Sequence, residues 1–380
     1  MAQHYLLSSG SNTISAIEVA RMSDDEAFDL FCKLRWGGRE VVCCPRCGLW
    51  HKAYWISTRR QWRCRGCGHT FSVTSGTIFA NRKKPLQTYL FSLVEFVNSV
   101  KGLPALQLCR NSDMKSYGSN FALLHKIRKV LWATRDTSLL ENTVDMDGTY
   151  VHTCRRKENK KVDRVDQRLR ENENPDKCCV IVAREHYSDE EKAANFWCRG
   201  AKRTVVTVAK RENPADVLRF AHDTVKTGAC IHTDESHAYK PLKGDYVLET
   251  VSHKHEYCSD EGVTNNQAES YFSRFKRFYY GQVHKMSSKY LLGYAQEVAF
   301  REDNRRTSNR EQFCDLLSRC LSGVDLKCVD DEWQAFWQDM EAVSDSADEC
   351  CKDADLLQTL QTQMHGMRSC SLSPSSRYVC

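Results

Sequence analysis

Residues 264–280 read Thr-Asn-Asn-Gln-Ala-Glu-Ser-Tyr-Phe-Ser-Arg-Phe-Lys-Arg-Phe-Tyr-Tyr. Tyr271, Phe272, Phe275, Phe278 and Tyr279 recur at three- and four-residue spacing, which predicts an amphipathic helix with one buried face and not a strand. At about 100° per residue, Glu269 and Lys276 fall within roughly 20° of each other at one border of that apolar stripe, while Arg274 and Arg277 point away from it. A carboxylate and an ammonium thus share a line at the edge of a core. A surface helix whose charges are merely solvated has the same pattern, so carboxylates elsewhere decide between the two readings.

They lie upstream. Val144-Asp145-Met146-Asp147-Gly148-Thr149-Tyr150-Val151 alternates apolar and polar residues like a half-buried strand, with Asp145, Asp147 and Thr149 on one face. Residues 229–235 read as a short buried strand running into Asp234 and Glu235. Strand propensity disfavours carboxylates, so these positions call for a reason; a capping or turn role suits Asp234 better than Asp147. With Glu269, the two aspartates make a set of hard oxygen ligands of the kind magnesium prefers. Such a set can hold two ions that clamp the attacking and leaving oxygens of a phosphoryl transfer.

At this point the chain resembles the DDE transposases of bacterial insertion sequences, in the group that carries an N-terminal zinc ribbon and is related to the Merlin transposons. Asp147 in Asp-Gly-Thr-Tyr is similar to the first aspartate, Asp234 in Thr-Asp-Glu-Ser-His-Ala-Tyr to the second, and Glu269 in Asn-Gln-Ala-Glu-Ser-Tyr-Phe to the glutamate. Lys276 matches the basic residue one heptad later, and the resemblance runs on through Gly281, His284, Ser287 and Tyr294 to Arg301-Glu302-Asp303-Asn304-Arg305-Arg306. In one departure, many relatives have Glu after the first aspartate where this chain has Gly148, which leaves the ligand assignment intact but removes a nearby negative charge. The resemblance implies an α/β ribonuclease-H-like catalytic domain in which Asp147, Asp234 and Glu269 bind Mg2+ or Mn2+, with Lys276 positioning DNA.

Composition is compatible with this. The 380 residues suggest two or three domains, and 41% apolar content suffices for a packed core. Between Gly323 and Asp355 stand eleven Asp/Glu against two Lys, so the rest of the chain is more basic than its net charge of +6, as a polyanion-binding body would be. No basic leader precedes a long apolar run and no stretch of about 18 apolar residues occurs, which predicts a soluble intracellular protein with no membrane partner. The expected place is the cytoplasm, at the nucleoid, for a bacterial source and the nucleus for a eukaryotic one. Twenty cysteines in such a chain read as thiols and metal ligands and not as disulfides.

Ser23-Asp24-Asp25-Glu26 is a capping-box signature opening a helix to about Arg35. Cys44-Pro-Arg-Cys47-Gly48 and Cys64-Arg-Gly-Cys67-Gly68, sixteen residues apart, have the spacing of a tetrahedral structural zinc site; Cys43 is out of register. Between them Trp55, Arg59, Arg60, Trp62 and Arg63 mix cations and aromatics in a small hairpin, which fits contact with DNA; one of the tryptophans would instead pack the ribbon's thin core. Helices are expected over 86–100, 103–110 and up to about Ala133, the last with Phe121, Leu124, Ile127 and Leu131 inward and Lys115, His125, Lys126, Arg128 and Lys129 outward. Two helices joined by a polar turn fit a helix-turn-helix in a major groove; three packed helices with a solvated basic face fit as well.

Arg155, Arg156, Lys160 and Lys161 belong to a charge-dense run that directly follows the Asp147 strand, where it could hold a DNA backbone or form a solvated loop. His253-Lys254-His255 read as a basic strand end, since imidazoles suit magnesium poorly. Strands at 178–184, 203–209 and 246–251 and a helix at 214–226 complete a mixed α/β domain. The expected organisation is a helical segment to residue 40, a ribbon over 41–80, a helix-turn-helix-like region over 85–135, the catalytic domain over 140–310 and an acidic, partly disordered tail over 311–380. The functional expectation is a transposase that binds terminal inverted repeats and target DNA, at least as a homodimer when two ends are joined. A non-catalytic DNA-binding descendant of a transposase is the competing reading.

Overall fold

In the computed structural model, which describes residues 5–153, 177–251 and 264–335, the chain opens with a short helix α1 (Ala16–Ala20). Ser23 and Glu26 then cap each other reciprocally, Glu26 accepting from the Ser23 N–H at 2.7 Å, and start α2 (Asp24–Trp36) where the sequence places it. The ribbon follows as β1 (Val42–Cys43) paired with β2 (Trp50–His51), and an antiparallel sheet of β3 (Tyr54–Ile56), β4 (Gln61–Arg63) and β5 (Thr70–Phe71). Sheets this small bury little by themselves. Trp62 therefore stacks on Phe28 and meets Trp36 edge-on, both from α2, and Arg35 donates to Val73 O and Ser75 O at 2.7 Å each. Trp62 is buried whereas Trp55 stays exposed, so one tryptophan packs the core and the other faces outward.

Three helices come next, α3 (Leu86–Asn98), α4 (Ala105–Asn111) and α5 (Tyr117–Ala133), close to the expected bounds. The α/β part runs β6 (Val144–His152), β7 (Lys177–His186), α6 (Asp189–Ala194), β8 (Ala201–Ala209), α7 (Pro214–Thr224), β9 (Cys230–Asp234), β10 (Val247–Val251), α8 (Asn266–Phe278), α9 (Ser288–Asp303) and α10 (Asn309–Leu321). Its sheet has the order β10-β9-β6-β7-β8: an antiparallel meander of β6, β7 and β8, with β9 and β10 parallel to β6 on the other side. Met146, Cys179, Ile181 and Ala183 point to one face, in a core with Val217 and Phe220 of α7 and with Tyr239 and Leu242. Helices α8 and α9 pack on the sheet as well, and Cys178 through Glu185 of β7 are buried without alternation.

The aromatic stripe of residues 271–278 is buried in α8 as its spacing predicts, while Tyr279 is only half-buried. Two expectations need correction. His125 and Arg128 are not outward: α9 covers that side of α5, Arg128 meets Glu297 at 2.7 Å with both side chains buried, and His125 lies among Phe121, Tyr290 and Tyr294. Nor does the chain leave the fold at 311, because Phe313, Leu316, Leu317, Cys320 and Leu321 of α10 enter the core shared by α2, α3 and α5. The Arg301–Arg306 motif fastens these parts: Arg301 donates to Phe96 O, Arg184 and Arg274 both reach Glu302, Asp303 accepts from the Thr204 N–H, and Arg306 donates to Trp197 O. Residues 5–330 form one unit; of a second, 331–380, only 331–335 are described, as helix, so the remainder of the expected tail, 336–380, lies outside the described residues. Among the described residues no helix is long and apolar enough to cross a membrane.

Candidate functional site

The thiols of the ribbon are assembled by two matching turns. In the first, Cys44 O accepts from the Gly48 N–H at 2.9 Å and Leu49 O accepts from the Cys44 N–H at 3.1 Å; in the second, Cys64 O accepts from the Gly68 N–H at 3.1 Å and His69 O from the Cys64 N–H at 2.9 Å. Gly48 and Gly68 have φ of +72° and +69°, which lets each turn close. The result brings Cys44, Cys47, Cys64 and Cys67 within 4.8 Å of one another, with Cys44 and Cys67 sulfurs 3.6 Å apart and those of Cys47 and Cys64 3.7 Å apart. Four thiols so gathered fit tetrahedral zinc. Cys43 turns its sulfur toward Gly48 O instead and stays outside the cluster.

The carboxylates come together through the sheet. Asp147 stands on β6 and Asp234 ends the neighbouring strand β9, while Glu269 lies on the exposed side of α8. Asp147 accepts from the Gly148 N–H at 2.8 Å, and burial, reinforced by Asp234, Glu212 and Glu269, pushes its carboxyl up to about 7. Asp234 also accepts from the Ser236 N–H at 3.0 Å, so it closes a turn while contributing to this negative field. Among the described residues no Lys or Arg pairs with Asp147 or Asp234, although the oxygens of the triad are not drawn within 4.8 Å of each other as the thiols are. Half-enclosed carboxylates with hard oxygen donors fit a divalent ion such as magnesium.

Glu212, in the β8–α7 connection, is a member of this group that sequence reasoning passed over. Its context, Ala209-Lys-Arg-Glu-Asn-Pro214, reads as an ordinary helix entrance, with Asn213 as the cap and Pro214 in the first turn. The one signal was Gly148, since a glycine inside a strand marks a close neighbour. Here that neighbour is Glu212, whose carboxylate occupies the space a side chain at 148 would need. A carboxyl group that residue 148 lacks is thus brought to its side from another part of the chain, with burial raising its pKa.

Two residues upstream of each triad member lies a second tier. Fully buried Asp145 is 2.7 Å from His186 Nε2 and 3.2 Å from His232 Nδ1, and it accepts from the Gln267 N–H at 2.9 Å. Burial pushes the Asp145 carboxyl up, but these partners outweigh it and hold it below the usual range. One side chain therefore ties β6 to β7, β9 and α8, the elements that carry or flank Asp147, Asp234 and Glu269. His232 Nε2 in turn lies 3.1 Å from Glu249 on β10.

The expected DNA-contacting cations divide. Arg59, Lys276 and Arg277 are exposed, and Lys126 lines a cleft with Arg82, Lys83, Lys84 and Lys115. Arg60 is engaged within the fold, 2.6 Å from Asp25 and over the Phe28 ring, and Arg274 does not point away but binds Glu302 and Ser270. Arg155, Arg156, Lys160 and Lys161, like His253, Lys254 and His255, lie outside the described residues.

Compared with known families, residues 139–303 match the ISXO2-like transposase domain and residues 22–70 the transposase zinc-ribbon domain. The first segment holds Asp145, Asp147, Glu212, Asp234 and Glu269, and the second holds all four clustered thiols. No curated protein matches the chain.

Proposed function

Because the chain belongs to the IS1595-type DDE transposases, with a zinc ribbon ahead of an ISXO2-like domain, we propose that it binds the terminal inverted repeats of its element and catalyses metal-dependent DNA cleavage and strand transfer. The observation that carries this reading is the placement of Asp147 on β6 and Asp234 at the end of the neighbouring strand β9, where burial, reinforced by Asp234 and Glu269, raises the pKa of the Asp147 carboxyl. Asp147, Asp234 and Glu269 would hold Mg2+ or Mn2+, and such an ion, when bound, polarises a phosphate and supplies a water of lowered pKa.

The protein's own contribution is position and charge. Lys276 and Arg277, exposed on the helix that carries Glu269, would hold the DNA backbone beside the carboxylates. Arg59 and exposed Trp50, Tyr54 and Trp55 give the ribbon a cationic and aromatic surface suited to DNA ends. A ribonuclease-H-like architecture is supported by the sheet order, with its antiparallel meander and two further strands parallel to the first. Joining two ends calls for at least a dimer.

The reading is tested on labelled DNA carrying the element's terminal repeats, comparing wild type with Asp234→Asn. The amide retains an oxygen for the Ser236 N–H, so the turn survives while a ligand charge is lost. Magnesium-dependent joining that falls at least about 1,000-fold in the variant supports the assignment. Binding to the ends with no cleavage by wild type, under conditions where a related transposase works, replaces it with a non-catalytic DNA-binding role.

A further inference from the structure

We propose that Glu212 is a fourth carboxylate of the acidic site, seated against Gly148 so that it offers an oxygen to the same divalent cation as Asp147 and Asp234. The inference rests on the transposase reading and extends its ligand set.

Two carboxylates meet at one residue. Asp147 Oδ1 accepts from the Gly148 N–H at 2.8 Å, while Glu212 approaches so closely that a Cβ on residue 148 would lie 2.4 Å from its Oε1 and 2.8 Å from its Cδ. Cβ atoms essentially never come within 3.0 Å of a non-bonded heavy atom, so the glycine is what admits the carboxylate in this position. The seat is fixed from two other sides: Tyr239 donates to Glu212 Oε1 at 2.5 Å, and the Glu212 N–H donates to Tyr150 Oη at 3.1 Å. Tyr239 is fully buried, so its hydroxyl is bound to this partner and not to solvent.

Serving Tyr239 does not require a charge. An amide oxygen would accept that hydrogen bond equally well, without placing a third carboxylate next to Asp147 and Asp234. Among the described residues no Lys or Arg pairs with Glu212. Three partly enclosed carboxylates are mutually repulsive, and a shared cation removes that repulsion.

The test titrates Mn2+ into the full-length, zinc-loaded protein by calorimetry, with wild type, Glu212→Gln and Asp234→Asn. Glu212→Gln is expected to weaken Mn2+ binding about 10-fold or more, with the zinc content and circular dichroism of wild type. Gly148→Ala should weaken it comparably where Glu212 is present and far less in a Glu212→Ala background, where the methyl group meets only the Cys179 sulfur, 3.0 Å from its position. Weakening in Asp234→Asn with wild-type affinity in Glu212→Gln overturns the fourth ligand and leaves the triad standing. An equal Gly148→Ala loss in both backgrounds overturns the seat. Absence of any Mn2+ site in wild type, or wild-type affinity in Asp234→Asn, removes the triad reading and this inference together.

Discussion

The ribbon takes its four thiols from two stretches of four residues, Cys44–Cys47 and Cys64–Cys67, whereas the acidic site draws Asp147, Glu212, Asp234 and Glu269 from β6, the β8–α7 connection, the end of β9 and α8. In the first, backbone turns alone set the ligand geometry, each turn repeating the other's hydrogen bonds. In the second, geometry exists only once a sheet has formed and a helix has docked on it. Zinc binding should therefore depend on a few local residues, and the acidic site on distant ones that never touch DNA.

The most direct way to break this contrast is Cys64→Ser. Zinc affinity in such four-ligand sites is worth about 10–16 kcal/mol, so loss of one thiolate should empty the site and unfold the ribbon. Zinc per chain, measured on the purified protein, should fall from one to none; retained stoichiometry removes Cys64 from the ligands. Asp145→Asn tests the other side. It removes the charge that faces His186 and His232 and should cost about 3 kcal/mol in urea unfolding, with zinc content unchanged. An Asp145→Asn protein as stable as wild type would mean that the triad's supports lie elsewhere.

The same contrast explains what the sequence could disclose. The ribbon was legible because its spacing is its geometry, and α8 because the stripe of Tyr271, Phe272, Phe275 and Phe278 has only one helical solution. The strands of Asp147 and Asp234 were legible as strands, yet their adjacency is a property of the order β10-β9-β6-β7-β8, which no local pattern encodes. Glu212 stayed hidden for the same reason, since its site partner is a glycine on a strand far earlier in the chain. On α5, charge misled: Arg128 looked solvated because the sequence does not show Glu297 waiting on α9 to neutralise it inside the core.

The two regions should also respond oppositely to pH. Burial pushes the Asp303 carboxyl up to about 7, against the Thr204 hydrogen bonds and the Arg184 charge. Between about pH 4 and 7 the folded chain thus keeps a proton that the unfolded chain has released. This group's contribution is full below about pH 4 and is lost as the pH rises through 7. Thiolate zinc ligands behave in the reverse sense, because raising the pH removes protons that compete with the metal. Asp303→Asn should flatten the fall in stability of the α/β part over that window by on the order of 1.4 kcal/mol per pH unit, read from urea midpoints at about pH 4.5 and 7.5 with zinc saturating. An unchanged slope would show that Asp303 is ionised throughout.

The smallest effects belong to the surface, and there the contrast is between cations that are free to meet DNA and cations already used. Arg59 is exposed on the ribbon, while its neighbour Arg60 is held by Asp25 and the Phe28 ring. Each cation withdrawn from a DNA phosphate lowers the slope of log affinity against log salt by about 1. Arg59→Ala should therefore reduce that slope for terminal-repeat DNA by about 1, and Arg60→Ala should leave it unchanged, as fluorescence anisotropy across a salt series would read. If the two substitutions reduce it equally, the Asp25 pair opens when DNA binds, and the ribbon's local self-sufficiency ends at its thiols, with its binding surface remade by the partner.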